Sequence, residues 1–152
     1  MPRKLKLHLQ RASTAGDLPA KTDLKRWARA ALPAKANVAL SLRLVDEAES
    51  ADLNQRYRGK AGPTNVLSFP FEPPTGGRGS RYLGDLAICA PLVAREAAEQ
   101  GKDPAAHWAH LMVHGVLHLL GYDHLDETEA QEMEALETRL LGELGFPPPY
   151  ED

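Results

Sequence analysis

The chain has one cysteine and no long apolar segment, and each shortage excludes a class of protein. A single cysteine, Cys89, cannot form an intramolecular disulfide, which is typical of a protein from a reducing compartment. No apolar run approaches the roughly 20 residues that a membrane-spanning helix needs. The N-terminus alternates apolar and charged residues, whereas a signal peptide has an unbroken apolar core. We therefore expect a soluble cytoplasmic protein without a membrane partner.

The residues that are present suit one globular domain with an uneven charge distribution. The chain of 152 residues is long enough for one hydrophobic core and contains no repeat or linker, so we predict a single domain over 1–152. Residues 1–43 contain ten Lys and Arg against two acidic residues, and residues 101–152 contain two against eleven. The basic segment could attract a phosphate backbone, or the two segments could neutralise each other in the fold.

Hydrophobic periodicity predicts a mixture of strands and helices. Alternating patterns predict strands at Lys4–Gln10 and Asn37–Val45. The β-branched and aromatic content of Val66–Phe71 predicts a third strand, and Arg81–Cys89 is predicted as the fourth. Helical patterns predict helices at about 18–32, 47–57, 92–100, from Asp103-Pro104 onward, and at 126–144. We expect Asp46 to cap the second helix with its carboxylate, and the last two strands to form a hairpin across the Pro- and Gly-rich segment 73–79. The order predicts an α+β fold with a mixed four-stranded sheet flanked by about five helices.

The stretch HGVLHLLGYDH, residues 114–124, carries the strongest chemical signal. His114 and His118 are four residues apart and therefore project from one face of a helix. Gly121 is expected to end that helix, after which His124 could return to the same face. Three imidazoles around a cation with one open coordination position are typical of a catalytic zinc site. We predict one zinc per chain, although another divalent first-row metal would also suit these ligands.

The spacing of the three histidines resembles that of the metal helix in zincin proteases, with one difference. Those enzymes have Glu directly after the first histidine as the general base, and this chain has Gly115 there. The absence of that base favours metal-assisted hydrolysis of another bond, or a base supplied from elsewhere in the chain. His107 and His110 lie on the same helical stripe. We interpret them as core residues or as residues that hydrogen-bond to the metal ligands, and not as ligands themselves.

The same motif resembles the signature of the YbeY family, bacterial metal-dependent endoribonucleases of ribosomal RNA maturation and ribosome quality control. Two upstream stretches also resemble that family: residues 53–70, with LNQRYRGK followed by PTNVLSFP, and LGDL at residues 83–86. The resemblance covers about residues 38–145 and implies a similar fold. It implies a single-strand-preferring endoribonuclease that acts at the 3′ end of small-subunit ribosomal RNA, with the ribosome or its small-subunit proteins as partners.

The resemblance also implies residue roles. Arg58 matches the family's catalytic arginine, and a guanidinium group suits a phosphate or the charge that develops on it. Ser68 and Asp85 are polar residues in apolar strands, and they could line the metal cleft or form structural hydrogen bonds. The proton acceptor stays open between Asp85 and Asp123, and Asp123 could instead orient a ligand imidazole. A metalloprotease-like hydrolase and a non-catalytic, zinc-bearing ribosome assembly factor remain as alternatives.

Overall fold

The computed structural model describes residues 3–71, 81–123 and 125–150, and these ranges contain four strands and five helices. In chain order the elements are β1 (Lys4–Arg11), α1 (Lys21–Ala30), β2 (Asn37–Val45), α2 (Glu47–Arg58), β3 (Val66–Pro70), β4 (Tyr82–Cys89), α3 (Ala90–Gln100), α4 (Pro104–Leu119) and α5 (Glu127–Glu143). This order confirms the predicted α+β fold. The Pro- and Gly-rich segment 73–79 and the predicted ligand His124 lie outside the described residues.

The four strands form one mixed sheet in the order β1-β2-β4-β3. The pairs β1–β2 and β2–β4 are parallel, and β3–β4 is antiparallel. The predicted pairing of the last two strands is therefore confirmed. Gly84 has a φ of +142° where β4 passes the carbonyl of Phe69, and a Cβ atom at this position would collide with that oxygen. Only glycine fits this point of the hairpin.

Helix α4 is the central element of the core because it is apolar on most of its circumference. Eight of its residues are at most 4% exposed: His107, Trp108, Ala109, Leu111, Met112, Val113, Val116 and Leu117. The helix contacts α1, α3 and α5 as well as strands β3 and β4. Such packing holds any functional side chain on α4 in a fixed position. None of the described helices combines the length and the apolar character that crossing a bilayer would require.

The ends of α4 agree with the sequence signals. The Asp103 carboxylate accepts a hydrogen bond from the Ala105 amide, and Pro104 is the first helical residue. Gly121, with a φ of +106°, turns the chain just after the helix, as predicted. Helix α1 is shorter than predicted, because Ala20 is still extended and the helix begins only at Lys21.

The expected role of Asp46 as a capping side chain is wrong. Asp46 occupies the N-cap position of α2, but its carboxylate forms no hydrogen bond with that helix. It accepts instead from the Ser13 hydroxyl at 2.5 Å, the Thr14 hydroxyl at 2.8 Å and the Thr14 amide at 3.0 Å. The turn after β1 offers three donors close together, and these outcompete the amides of the first helical turn. Asp46 thus ties that turn to the start of α2.

Candidate metal centre

Helix α4 brings four histidines onto one side. Along the stripe formed by His107, His110, His114 and His118, neighbouring ring centroids are 6.2, 6.1 and 4.5 Å apart. The Nε2 atoms of His114 and His118 are 3.0 Å from each other. The structure therefore brings the first two predicted ligands together.

The buried carboxylate of Glu137 lies behind His114. It comes from α5, is 0% exposed, and accepts a hydrogen bond from His114 Nδ1 at 2.7 Å. Burial raises the pKa of Glu137, but hydrogen bonds from His110, His114 and Tyr150 outweigh this effect and lower the pKa to about 2. Because a carboxylate only accepts, His114 carries its proton on Nδ1, and Nε2 is the nitrogen that can bind a cation.

Two further side chains surround Glu137. His110 Nε2 lies 3.5 Å from Oε2, and the Tyr150 hydroxyl donates to Oε1 at 2.5 Å. Burial, together with the nearby Glu137 carboxylate, raises the pKa of Tyr150 above its usual range, so the hydroxyl stays protonated. His107 lies instead in the core, 2.9 Å from Glu96, and burial lowers the pKa of this imidazole.

The donor chemistry of this region suits a metal ion. His110, His114 and Glu137 each offer a ligand atom, and these three atoms lie within 4.8 Å of one another. His114 therefore has a candidate ligand atom on each side, with Glu137 next to Nδ1 and His118 next to Nε2. Imidazole nitrogen and carboxylate oxygen are both ordinary ligands of divalent first-row metals.

The His118 side of His114 opens into a cleft of about 570 Å³. Arg58, the last residue of α2, also lines this cleft. Gly59 ends the helix directly after it, with a φ of +67°. Asp123 lines it from the turn that follows α4. Among the described residues, no carboxylate forms an ion pair with Arg58. The cleft thus combines candidate metal ligands with a guanidinium group.

The two polar strand residues lie in different places. Ser68 lines the cleft, and its hydroxyl donates to the Gly115 carbonyl at 3.4 Å. Asp85 lies outside the cleft, in a separate cavity, where it accepts a hydrogen bond from the Tyr82 hydroxyl. The reason is the alternation along β4: Leu86 faces α4, so its neighbour Asp85 faces the opposite side of the sheet.

Gly115 packs directly against the sheet. A Cβ atom there would lie 2.9 Å from Leu86 Cδ2 and 3.5 Å from Val66 Cγ2. The position that carries the general base in zincin proteases therefore has no room for a glutamate side chain. This packing adds to the argument against the metalloprotease alternative.

Glu137 and Tyr150 are absent from the sequence-based prediction of the site. Glu137 had a readable signal, since it interrupts the apolar stripe of α5, four residues after Met133 and three before Leu140. A carboxylate on a buried stripe needs partners, and histidines are suitable ones. Tyr150 follows the last helix, and no local pattern indicates that it reaches α4.

The fold and the site define an α+β protein with a candidate metal centre of the kind that hydrolases use. A buried helix presents histidines to a cleft, a carboxylate lies behind them, and an arginine lines the same cleft. Residues 11–145 match the family model described as Endoribonuclease YbeY, and the chain belongs to that family. It is thus a member of a family of endoribonucleases, enzymes that hydrolyse phosphodiester bonds within RNA chains.

Individual relatives agree with this assignment. The chain is 53% identical over 147 residues to Endoribonuclease YbeY of Nitrosococcus oceani, covering 95% of this chain and 96% of that protein. It is 56% identical over 147 residues to Endoribonuclease YbeY of Stutzerimonas stutzeri, covering 96% and 91%. The solution structure of TM1509 from Thermotoga maritima has a similar fold, with a TM-score of 0.51, 22% identity, and coverage of 97% of this chain and 99% of that one.

Proposed function

We propose that the chain is a zinc-dependent endoribonuclease that cleaves single-stranded ribosomal RNA. Membership of the endoribonuclease family supports the reaction class. The observation that carries the proposal is the pair of Nε2 atoms of His114 and His118, 3.0 Å apart, in the cleft that also contains Arg58.

The distances favour the His118 side of His114 for the metal. Two ligand atoms of one tetrahedral zinc are roughly 3.3 Å apart, given metal–nitrogen bonds of about 2.05 Å. The 3.0 Å between the two Nε2 atoms is close to that separation. Nδ1 of His114 instead donates to the Glu137 carboxylate at 2.7 Å, so its lone pair is not open to a metal. We therefore assign His114 and His118 as ligands, keep His124 as the predicted third, and assign Glu137 as the group that orients His114.

The other residues of the cleft have roles that follow from their chemistry. A divalent metal held by these histidines would supply Lewis acidity at the phosphate. Arg58 offers rigid paired donors that hold the phosphate and stabilise the charge that develops on it. Asp123 lines the cleft and Asp85 does not, which supports Asp123 as the proton acceptor.

An exposed aromatic ring supports the preference for single strands. Tyr57 is 63% exposed, packs edge-on against Phe69 at 5.1 Å, and lines the cleft beside Arg58. An unpaired base can stack on such a ring, whereas bases in a duplex are already stacked on one another. The family resemblance further suggests the 3′ end of small-subunit ribosomal RNA as substrate, a role in ribosome quality control, the ribosome as partner, and the cytoplasm as location.

Substitution of Arg58 tests the proposal. We expect Arg58→Ala to lower the rate of cleavage of single-stranded RNA by about 10²- to 10³-fold, because one charge-stabilising donor is lost. Metal content and melting temperature should stay unchanged, because Arg58 is exposed and is not one of the proposed metal ligands. The rate is measured with an end-labelled single-stranded RNA and with the same RNA annealed to its complement.

Arg56→Ala is the matched control. Arg56 is an exposed arginine of the same helix that pairs with Asp52 at 3.2 Å and does not line the cleft. This variant should cleave at the wild-type rate. Undiminished cleavage by Arg58→Ala would remove Arg58 from the mechanism, and equal cleavage of single strand and duplex would contradict the proposed substrate preference.

A further inference from the structure

The segment that follows α5 reads Phe-Pro-Pro-Pro-Tyr and is held at several points. The Phe146 ring packs edge-on against Trp27, with centroids 6.2 Å apart. The Pro149 carbonyl accepts a hydrogen bond from Lys102 Nζ at 3.0 Å. Each proline fixes φ, so the three prolines form a stiff spacer between Phe146 and Tyr150. The segment therefore delivers Tyr150 to a defined position.

Tyr150 contacts the group that orients His114. Its hydroxyl donates to Glu137 Oε1 at 2.5 Å and lies 3.1 Å from His110 Nε2. Its ring stands almost perpendicular to His110, at 87°, with centroids 5.2 Å apart. The other oxygen of Glu137 accepts from His114 Nδ1. One carboxylate thus connects the tail of the chain to a candidate metal ligand.

Both oxygens of Glu137 need these partners because the residue is 0% exposed. Water is not available to replace a lost hydrogen bond at such a site, and an unsatisfied buried carboxylate oxygen is costly. Without the Tyr150 hydroxyl, the carboxylate would be free to rotate toward His110, which lies 3.5 Å from Oε2. His114 would then lose the fixed acceptor that sets its tautomer and direction.

We propose that Tyr150 is a positioning residue of the metal centre, whose hydroxyl fixes the Glu137 carboxylate and thereby the direction of His114 Nε2. The inference rests on the proposed function, because it requires a metal bound at His114. It goes beyond the family match, which ends at residue 145 and so does not include the tail.

Tyr150→Phe tests this role, since it removes only the hydroxyl and keeps the ring against His110. The probe is Co²⁺ alone, with its dissociation constant measured by competition with a chromogenic chelator. Loss of a direct partner of a metal ligand weakens metal binding by about 10- to 100-fold, and we expect about 3- to 10-fold here because Tyr150 is one step further away. The visible absorption of the Co²⁺ form should change. The metal-free protein should also melt at a lower temperature, because Glu137 Oε1 loses its buried hydrogen-bond partner.

Tyr82→Phe is the matched control. It also removes a phenol hydroxyl that donates to a carboxylate, Asp85, but in the separate cavity. This variant should bind Co²⁺ like the wild type. Wild-type affinity and a wild-type spectrum in Tyr150→Phe would overturn this inference and leave the proposed function standing. Weaker binding with an unchanged Co²⁺ spectrum would also overturn it, since lost stability alone would then explain the weaker binding. A wild-type protein that binds no metal would overturn the proposed function as well.

Discussion

At the scale of single residues, Gly115 shows why the histidine helix of this chain differs from that of a zinc protease. The helix places the residue after the first ligand against β3 and β4 instead of toward the cleft. A side chain there would collide with Leu86, which is itself 1% exposed. The glycine is thus a packing requirement, and a proton acceptor would have to come from another element.

This packing predicts that Gly115→Glu is strongly destabilising. We expect a loss of more than about 3 kcal/mol in the free energy of unfolding, because the substitution both overpacks the core and buries a carboxylate without a partner. Chemical denaturation of the metal-free protein measures the loss. Gly142→Glu is the control, since a Cβ atom added to this glycine of α5 would meet no neighbouring atom within 4 Å. Equal stability of the two variants would contradict the packing role of Gly115.

The sequence alone allowed part of the site to be predicted. The four-residue spacing of His114 and His118 was enough, because helix geometry is local. Ser68 and Asp85 are both polar residues in apolar strands, so the sequence does not distinguish them. Only the face of the sheet that each one occupies places Ser68 in the cleft and Asp85 outside it. Tyr150 could not be predicted, because its contact with Glu137 depends on the path of the tail across the fold.

At the scale of elements, the apolar pattern predicted every strand and helix of the described chain. Each element has one buried face, or is buried on most sides as α4 is. The errors lie at the ends, where side chains of distant segments compete. Asp46 is the clearest case, because its carboxylate is taken by donors of Ser13 and Thr14 from the turn after β1. Such long-range competition has no local signal.

The Asp46 contacts predict a pH-dependent contribution to stability. Hydrogen bonds from Ser13 and Thr14 lower the pKa of Asp46 from its usual 3.8. A lowered folded-state pKa stabilises the fold above the unfolded-state pKa, and this contribution is lost as the pH falls through the folded-state value. Asp46→Asn should therefore lower the melting temperature at pH 7, and its difference from the wild type should shrink below about pH 4.

Asp52→Asn is the control for this prediction. Asp52 lies on the same helix and pairs only with the exposed Arg56 among the described residues. Exposed pairs of this kind contribute little, so the melting temperature at pH 7 should hardly change. A difference between Asp46→Asn and wild type that stays constant from pH 7 to pH 3 would show that the charge of Asp46 is not what stabilises the turn.

At the scale of the whole molecule, the charge asymmetry is not cancelled by direct pairing. In the described ranges, no Lys or Arg of residues 1–43 pairs with a carboxylate of residues 101–152. Of the pairs in these ranges, only that of Arg43 with Glu49 joins the basic segment to the middle of the chain. The basic N-terminal segment therefore keeps most of its positive charge. This supports the interpretation that it attracts a phosphate backbone.

The metal content of His118→Ala tests the central claim most directly, with His8→Ala as control because His8 is an exposed histidine of β1. After loading with zinc and removal of the excess, metal analysis should find one zinc per chain in the wild type and in His8→Ala. It should find almost none in His118→Ala, whose fold, checked by circular dichroism, should be intact. Full zinc content in folded His118→Ala would contradict the account and would indicate that His110, His114 and Glu137 hold the metal instead.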